Sequence, residues 1–205
     1  MFGIHSYGSF IAAVLVFQLI PGAGTISILN ATARNGMGGG MKAVFGTLSG
    51  DLIYMCAAVL GLAAILSAYP GVLAGAQWIG AGYLCWLGVK LLTASLTQTT
   101  VPAKIERAGW HYFRQALAVS LTNPKVIMFF MAFFPLFLTP ESTPVTLLIL
   151  MVHVSVISFL YQTCLVIAGK AVAGKLVQWP WARRMAIRLA GVALIGFGVR
   201  LATRN

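Results

Sequence analysis

The chain has few charged residues and almost no acidic ones. Only 8% of its 205 residues are charged, and 3 acids stand against 14 Lys and Arg, whereas about 25% of a soluble domain is charged. So few charges cannot cover a water-facing surface, and the apolar content of 60% excludes a disordered chain. The net charge of +11 does not indicate nucleic-acid binding, because the basic residues form no single patch. The composition excludes a soluble enzyme and indicates that lipid is the solvent.

The sequence also lacks the motifs of common enzymes. It contains no zinc-protease, serine-hydrolase or Walker sequence, and its three carboxylates nearly exclude a paired-carboxylate mechanism. The three cysteines lie in apolar segments at no metal or disulfide spacing. We therefore expect no enzyme activity, no metal site and no cofactor, and any uphill work has to draw on an ion gradient or a partner.

Long uncharged stretches predict an all-α membrane protein in one domain, 1–205, since a membrane-spanning helix needs about 20 mostly apolar residues. The N-terminus has no basic residue and is interpreted as a retained first helix. Six spans are predicted, at 7–29, 40–66, 72–96, 113–138, 145–167 and 184–202. The turn-rich segments between them are 34–40, 68–71, 139–144 and 170–181, and the only long polar connection is 97–112.

The distribution of basic residues predicts the orientation, because Lys and Arg in short loops stay in the cytoplasm. The first, third and fifth connections share one side of the membrane. They carry Arg34, Lys42, Lys90, Lys104, Arg107, Arg114, Lys170, Lys175, Arg183, Arg184 and Arg188. The opposite side has Arg200 and Arg204. Both termini are therefore predicted outside.

The two halves of the chain share sequence features. Gly88-Val-Lys-Leu91 ends the third span and Gly198-Val-Arg-Leu201 ends the sixth. Pro21 and Pro124 interrupt the leading span of each half. Three spans followed by three of opposite orientation are typical of inverted-repeat transporters. We predict a 3+3 inverted repeat, with a first repeat at about 7–96 and a second at about 113–202.

The two interruptions predict a binding site near the middle of the bilayer. Proline breaks a helix, and a freed carbonyl in hydrocarbon has to face protein or a wet cavity. Breaks at matching positions of two repeats indicate a substrate site. The candidate substrate-binding residues at the breaks are Pro21, Gly22, Ala23, Gly24, Asn123, Pro124 and Lys125.

Asp51 and Lys125 are a carboxylic acid and a lysine predicted near the middle of the bilayer. A charge at the bilayer centre costs about 2.5–3.5 kcal/mol on insertion scales, so both are expected to face the protein interior. One interpretation is a functional site in which Asp51 binds substrate and couples protons; the other is a structural ion pair. Gly46 and Gly50 form a small-residue face beside Asp51, predicted to pack on the broken first helix.

Five segments occur in a distinctive order along nearly the whole chain. They are Pro21-Gly22, the region from Arg34-Asn-Gly36 to Gly50-Asp51, the glycine-rich third span at 78–92, the segment from Asn123-Pro124-Lys125 to Phe137, and the last span at 188–201. In this order they resemble the LysE/RhtB family of bacterial amino-acid exporters. At one position the chain departs from the family, since Ala23 stands where its signature usually has proline.

The resemblance implies a six-helix transporter of the bacterial inner membrane that exports amino acids, driven by the proton-motive force. The expected partners are an amino-acid-like substrate, protons and the lipid bilayer. We expect the substrate carboxylate at the amide dipoles of the two breaks and its ammonium toward Asp51, with a neutral amino acid favoured. A non-transporting scaffold and a passive channel are the alternatives. Homo-oligomer formation stays open, because the glycine faces can pack within one chain or between copies.

Overall fold

A computed structural model of the chain describes residues 7–20, 22–68, 72–93, 109–138, 142–178 and 180–203. This part of the chain contains seven α-helices, one 3-10 turn and no strand. The helices are α1 (Tyr7–Leu19), α2 (Ala23–Ala68), α3 (Val72–Leu92), α4 (Gly109–Leu121), α5 (Pro124–Phe133), α6 (Pro144–Gln178) and α7 (Pro180–Ala202), and the 3-10 turn is Phe134–Phe137.

Helix α2 is bent into two arms, 23–34 and 37–68. Asn35 and Gly36 leave the helical conformation between them, and Gly36 has a φ of 61°, which glycine adopts at little cost because it has no Cβ. The predicted turn at 34–40 is therefore wrong for residues 37–39, which are helical. One tight bend is enough to reverse the chain, so the remaining glycines are free to serve helix packing.

Two other predicted boundaries also need correction. Residues 170–178 continue α6 as helix rather than forming a turn-rich loop, and α4 begins at Gly109, inside the predicted polar connection. Most of that connection, 97–108, lies outside the described residues. Apolar periodicity detects the lipid-embedded part of a helix but not its polar extension into the interface, which explains both differences.

Apolar side chains lie on the outside of the helices as well as inside. Ile79, Leu60 and Met131 are 73%, 72% and 69% exposed, as suits surfaces that face lipid rather than water. By length and composition, two helical stretches within the described residues are suited to cross a membrane, Ala23–Leu62 and Pro144–Gly169. The number of spans, six, stays a prediction.

The second arm of α2 packs on α4, and α3 packs on α7. Glycines make both approaches close. An alanine Cβ at Gly46 would lie 2.2 Å from the Phe113 carbonyl oxygen, and one at Gly50 would lie 2.6 Å from Ser120 Cβ. The predicted partner of this glycine face was wrong, because the face contacts α4 rather than the first helix. This packing sets the distance between Asp51 and the end of α4.

Candidate functional site

The first break lies between α1 and α2. Helix α1 ends at Leu19 and α2 begins at Ala23; Pro21, the predicted cause of the break, lies outside the described residues. The first amides of any helix have no carbonyl partner within it. The N-terminus of α2 therefore presents N–H donors and the positive end of a helix dipole at Gly22 to Gly24.

The second break lies between α4 and α5, and side chains cap both of its ends. Asn123 Oδ1 accepts a hydrogen bond from the Lys125 backbone amide at 3.1 Å, and Pro124 is the first residue of α5. The Tyr54 hydroxyl, from α2, donates to the Leu121 carbonyl at the end of α4. These bonds satisfy backbone groups that the break frees at membrane depth.

Lys125 connects the second break to the first. Its Nζ donates to the Ile20 carbonyl at 3.2 Å and lies 4.3 Å from the centre of the Phe17 ring. An alanine Cβ at Gly22 would be 3.5 Å from this Nζ. A cation is favourable at the C-terminal end of a helix and over an aromatic face. The two broken helices therefore meet at the Lys125 ammonium.

Asp51 lies on the second arm of α2 and is buried, with 9% of its surface exposed. The Ser120 hydroxyl, in the last turn of α4, donates to Asp51 Oδ1 at 2.6 Å. No direct ion pair joins the described side chains of Asp51 and Lys125, because Asp51 accepts from Ser120 and Lys125 donates to the Ile20 carbonyl. Different partners therefore hold the acid and the base.

Thr47 links the Asp51 side of the site to the first break. It precedes Asp51 by one helical turn on the same face of α2. An alanine Cβ at Gly24 would lie 3.3 Å from Thr47 Cγ2. The N-terminus of α2 therefore touches the second arm of the same helix, which carries Asp51. Ala23, also predicted at the site, is an exposed residue at the start of α2.

Several residues around the site were not predicted from the sequence to belong to it. Ser120 holds Asp51, Tyr54 caps α4, and the Tyr83 hydroxyl of α3 donates to the Lys125 carbonyl at 3.4 Å. The signal for Tyr54 was its spacing of three residues from Asp51, which places both on one helix face. Ser120 had no signal of its own, because its role depends on the approach of α4 to Gly50.

Comparison with known proteins identifies the family. The family model described as LysE type translocator matches residues 15–205. The chain belongs to the LysE type translocator family. It is 34% identical to an uncharacterized membrane protein of Pseudomonas aeruginosa, over 98% of this chain and 96% of the relative.

Two similar relatives carry a functional name. The chain is 32% identical to a leucine efflux protein of Salmonella typhimurium and 33% identical to one of Klebsiella pneumoniae. Each match covers 98% of this chain and 97% of the relative. No solved structure matches the chain. This LysE type translocator is a bacterial membrane transporter and not an enzyme.

The candidate site combines groups of opposite charge. One end offers the amides of α2 and the Lys125 ammonium, which suit a carboxylate. The other end offers the Asp51 carboxylate, which suits an ammonium. The aromatic rings of Phe17 and Phe129 stack with centroids 3.5 Å apart beside Lys125, and they form an apolar wall next to the charged groups.

Proposed function

We propose that this translocator exports a neutral aliphatic amino acid, leucine or a close relative, from the cytoplasm across the bacterial inner membrane in exchange for protons. The observation that carries the proposal is the meeting of the two breaks at Lys125, with Asp51 held nearby by a different helix. The names of the leucine efflux relatives support the substrate, and the stacked Phe17 and Phe129 rings suit its aliphatic side chain.

The substrate carboxylate binds at the N-terminus of α2, around Pro21, Gly22, Ala23 and Gly24, with the Lys125 ammonium as its counter-charge. Its ammonium binds toward Asp51. The second break supports this arrangement through Asn123 and Pro124, which start α5 and so set the direction of Lys125. An α-amino acid satisfies both charged ends at once, whereas an amine or an acid satisfies only one.

Proton coupling is assigned to Asp51. A proton and a substrate ammonium compete for one carboxylate, because protonation removes the charge that attracts the ammonium. Proton entry from outside then weakens substrate binding and favours release. Asp51 is the one acidic residue within the described ranges, and its burial makes a solitary carboxylate costly unless a proton or a cation neutralises it.

The proposed architecture is a 3+3 inverted repeat of six spans, 7–96 followed by 113–202, with both termini outside. The contacts between α3 and α7 support it. Cys85 Sγ lies 3.9 Å from the carbonyl oxygen of Ile195, 110 positions later. Gly88 and Gly198 are also 110 positions apart in the sequence, and so are Ala81 and Gly191.

Exchanging each residue for its counterpart turns the contact of Gly88 with Gly191 into the contact of Gly198 with Ala81. An alanine Cβ at Gly88 would lie 2.6 Å from the Gly191 carbonyl oxygen, and one at Gly198 would lie 2.8 Å from that of Ala81. Such self-complementary contact is what a two-fold axis produces. For inverted repeats this axis lies in the membrane plane, and substrate binds where the repeats meet.

Transport by the purified protein in liposomes tests the function. Vesicles loaded with labelled leucine should release it faster, and with saturation, when the outside is made acidic. Asp51→Asn should abolish the acceleration by the proton gradient, while Ser49→Ala, on the same helix, should leave it intact. Release without saturation or pH dependence would indicate a channel, and no release of any amino acid would indicate a scaffold.

A further inference from the structure

Two buried polar side chains near the site have oxygens without a hydrogen-bond partner. Thr47 on α2 and Gln162 on α6 are each only 5% exposed, and no described group bonds Thr47 Oγ1 or Gln162 Oε1. Most buried side-chain polar atoms in proteins have a partner. At membrane depth an unpaired oxygen is especially unfavourable, so two of them close to one site point to a ligand that supplies the missing donors.

Thr47 lies between the two charged ends of the proposed site. Its methyl group is next to Gly24, at the N-terminus of α2. Its i+4 neighbour on the helix is Asp51, and side chains at this spacing are about 5–6 Å apart. Thr47 therefore stands between the group that suits a carboxylate and the group that suits an ammonium. In an α-amino acid these two groups are carried by one carbon atom.

Gln162 faces the same region from the opposite helix. The second arm of α2 and α6 run antiparallel, since Phe45 lies beside Phe159 and Gly40 lies beside Val166. Gln162 falls between these two α6 residues, about one helical turn from the level of Thr47 and on the side of Thr47 away from Asp51.

The neighbours of Gln162 on its own helix fix the direction in which it faces. Ser158, one turn before it, accepts a hydrogen bond from Gln18 of α1. Val166, one turn after it, contacts the second arm of α2 at Gly40. Gln162 is thus on the face of α6 directed at the space between α1 and α2, where the first break lies.

We propose that Thr47 and Gln162 complete the ammonium half of the substrate site and determine that the substrate is an α-amino acid with a free amino group. Both oxygens accept hydrogen bonds, and a substrate ammonium has three N–H donors, which Asp51 alone cannot satisfy. This inference rests on the proposed function and adds the residues that distinguish an amino acid from the corresponding carboxylic acid.

Leucine transport by conservative variants tests the proposal. Thr47→Val and Gln162→Leu keep the shape but remove the acceptor, and each should raise the KM for leucine about tenfold, the factor for about 1.4 kcal/mol, with the maximal rate near wild type. Thr47→Ser keeps the hydroxyl and should retain the wild-type KM. Thr32→Val is the control, because the buried Thr32 hydroxyl already donates to the Ile28 carbonyl.

Competition by 4-methylpentanoate, which is leucine without its amino group, gives a readout that a packing role would not change. In the wild type its inhibition constant should lie far above the KM for leucine. The ratio of this constant to the KM should fall in Thr47→Val and Gln162→Leu. An unchanged KM in both variants, or an equal rise in Thr32→Val, overturns this proposal alone. Failure of the wild type to bind or transport leucine overturns the proposed substrate as well.

Discussion

Lys125 contributes its charge to a helix end other than its own. It is the second residue of α5, where a cation is unfavourable because the N-terminal end of the helix dipole is positive. Its four-carbon side chain extends to the C-terminal end of α1 instead, where the Ile20 carbonyl accepts from Nζ at 3.2 Å. A long, flexible side chain can make this connection, whereas a short one cannot.

Replacing this ammonium should affect both stability and transport. Lys125→Met preserves the length of the side chain but removes the donor to Ile20 and the cation over Phe17. Leaving a buried carbonyl unpaired costs about 1–3 kcal/mol, so thermal unfolding in detergent should occur at lower temperature. Leucine efflux from liposomes should fall strongly, because the substrate carboxylate loses its counter-charge.

Lys42 provides the matched control for this substitution. It lies on the second arm of α2 and is exposed, so Lys42→Met removes the same charge from the chain without touching either break. Its efflux and unfolding temperature should stay near wild type. If Lys125→Met behaves like Lys42→Met in both measurements, the ammonium is not part of the site.

At the scale of helices, glycines on α2 set how closely α4 approaches Asp51. Gly46 and Gly50 lie one turn apart on one face, and both meet α4 backbone or Cβ atoms at distances that leave no room for a side chain. Membrane helices associate largely through such close packing of small residues. The hydrogen bond from Ser120 to Asp51 exists because Gly50 lets the two helices come together.

Adding one methyl group at Gly50 should therefore disturb the site. The Cβ of Gly50→Ala would lie 2.6 Å from Ser120 Cβ and 2.7 Å from Ser120 Oγ, and overpacking of this kind costs about 1–3 kcal/mol. We expect a lower unfolding temperature and reduced leucine efflux. Gly61→Ala, on the same helix with nothing within 4 Å, should unfold and transport normally. Equal behaviour of the two variants would contradict a role for this contact.

The positions of the two breaks could be predicted from sequence, but their partners could not. Proline and glycine interrupt a helix through local backbone chemistry. Helices α1 and α4 accordingly end at Leu19 and Leu121, a few residues before the two prolines. Lys125 reaching Ile20, and Ser120 reaching Asp51, depend on how distant segments pack. The small-residue pattern predicted a close contact but not that α4 makes it, since such a pattern fits any helix.

At the scale of the whole molecule, the last turns of α3 and α7 are local counterparts. The Thr93 amide donates to the Val89 carbonyl at 3.0 Å, and the Thr203 amide donates to the Val199 carbonyl at 2.9 Å. Lys90 and Arg200 precede them as the basic residues of each last turn. In an inverted repeat these matching ends emerge on opposite sides of the membrane, whereas a direct repeat places them on the same side.

Labelling of single cysteines decides between these two arrangements. Thr93→Cys and Thr203→Cys, each in a chain whose native Cys56, Cys85 and Cys164 are replaced by alanine, place a thiol at two exposed counterpart positions. A membrane-impermeant maleimide added to spheroplasts should label Thr203→Cys, while Thr93→Cys should react only after permeabilisation, because the excess of basic residues assigns its side to the cytoplasm. Labelling of both cysteines from one side would exclude the inverted repeat, and labelling of Thr93→Cys alone would reverse the predicted orientation while leaving the repeat intact.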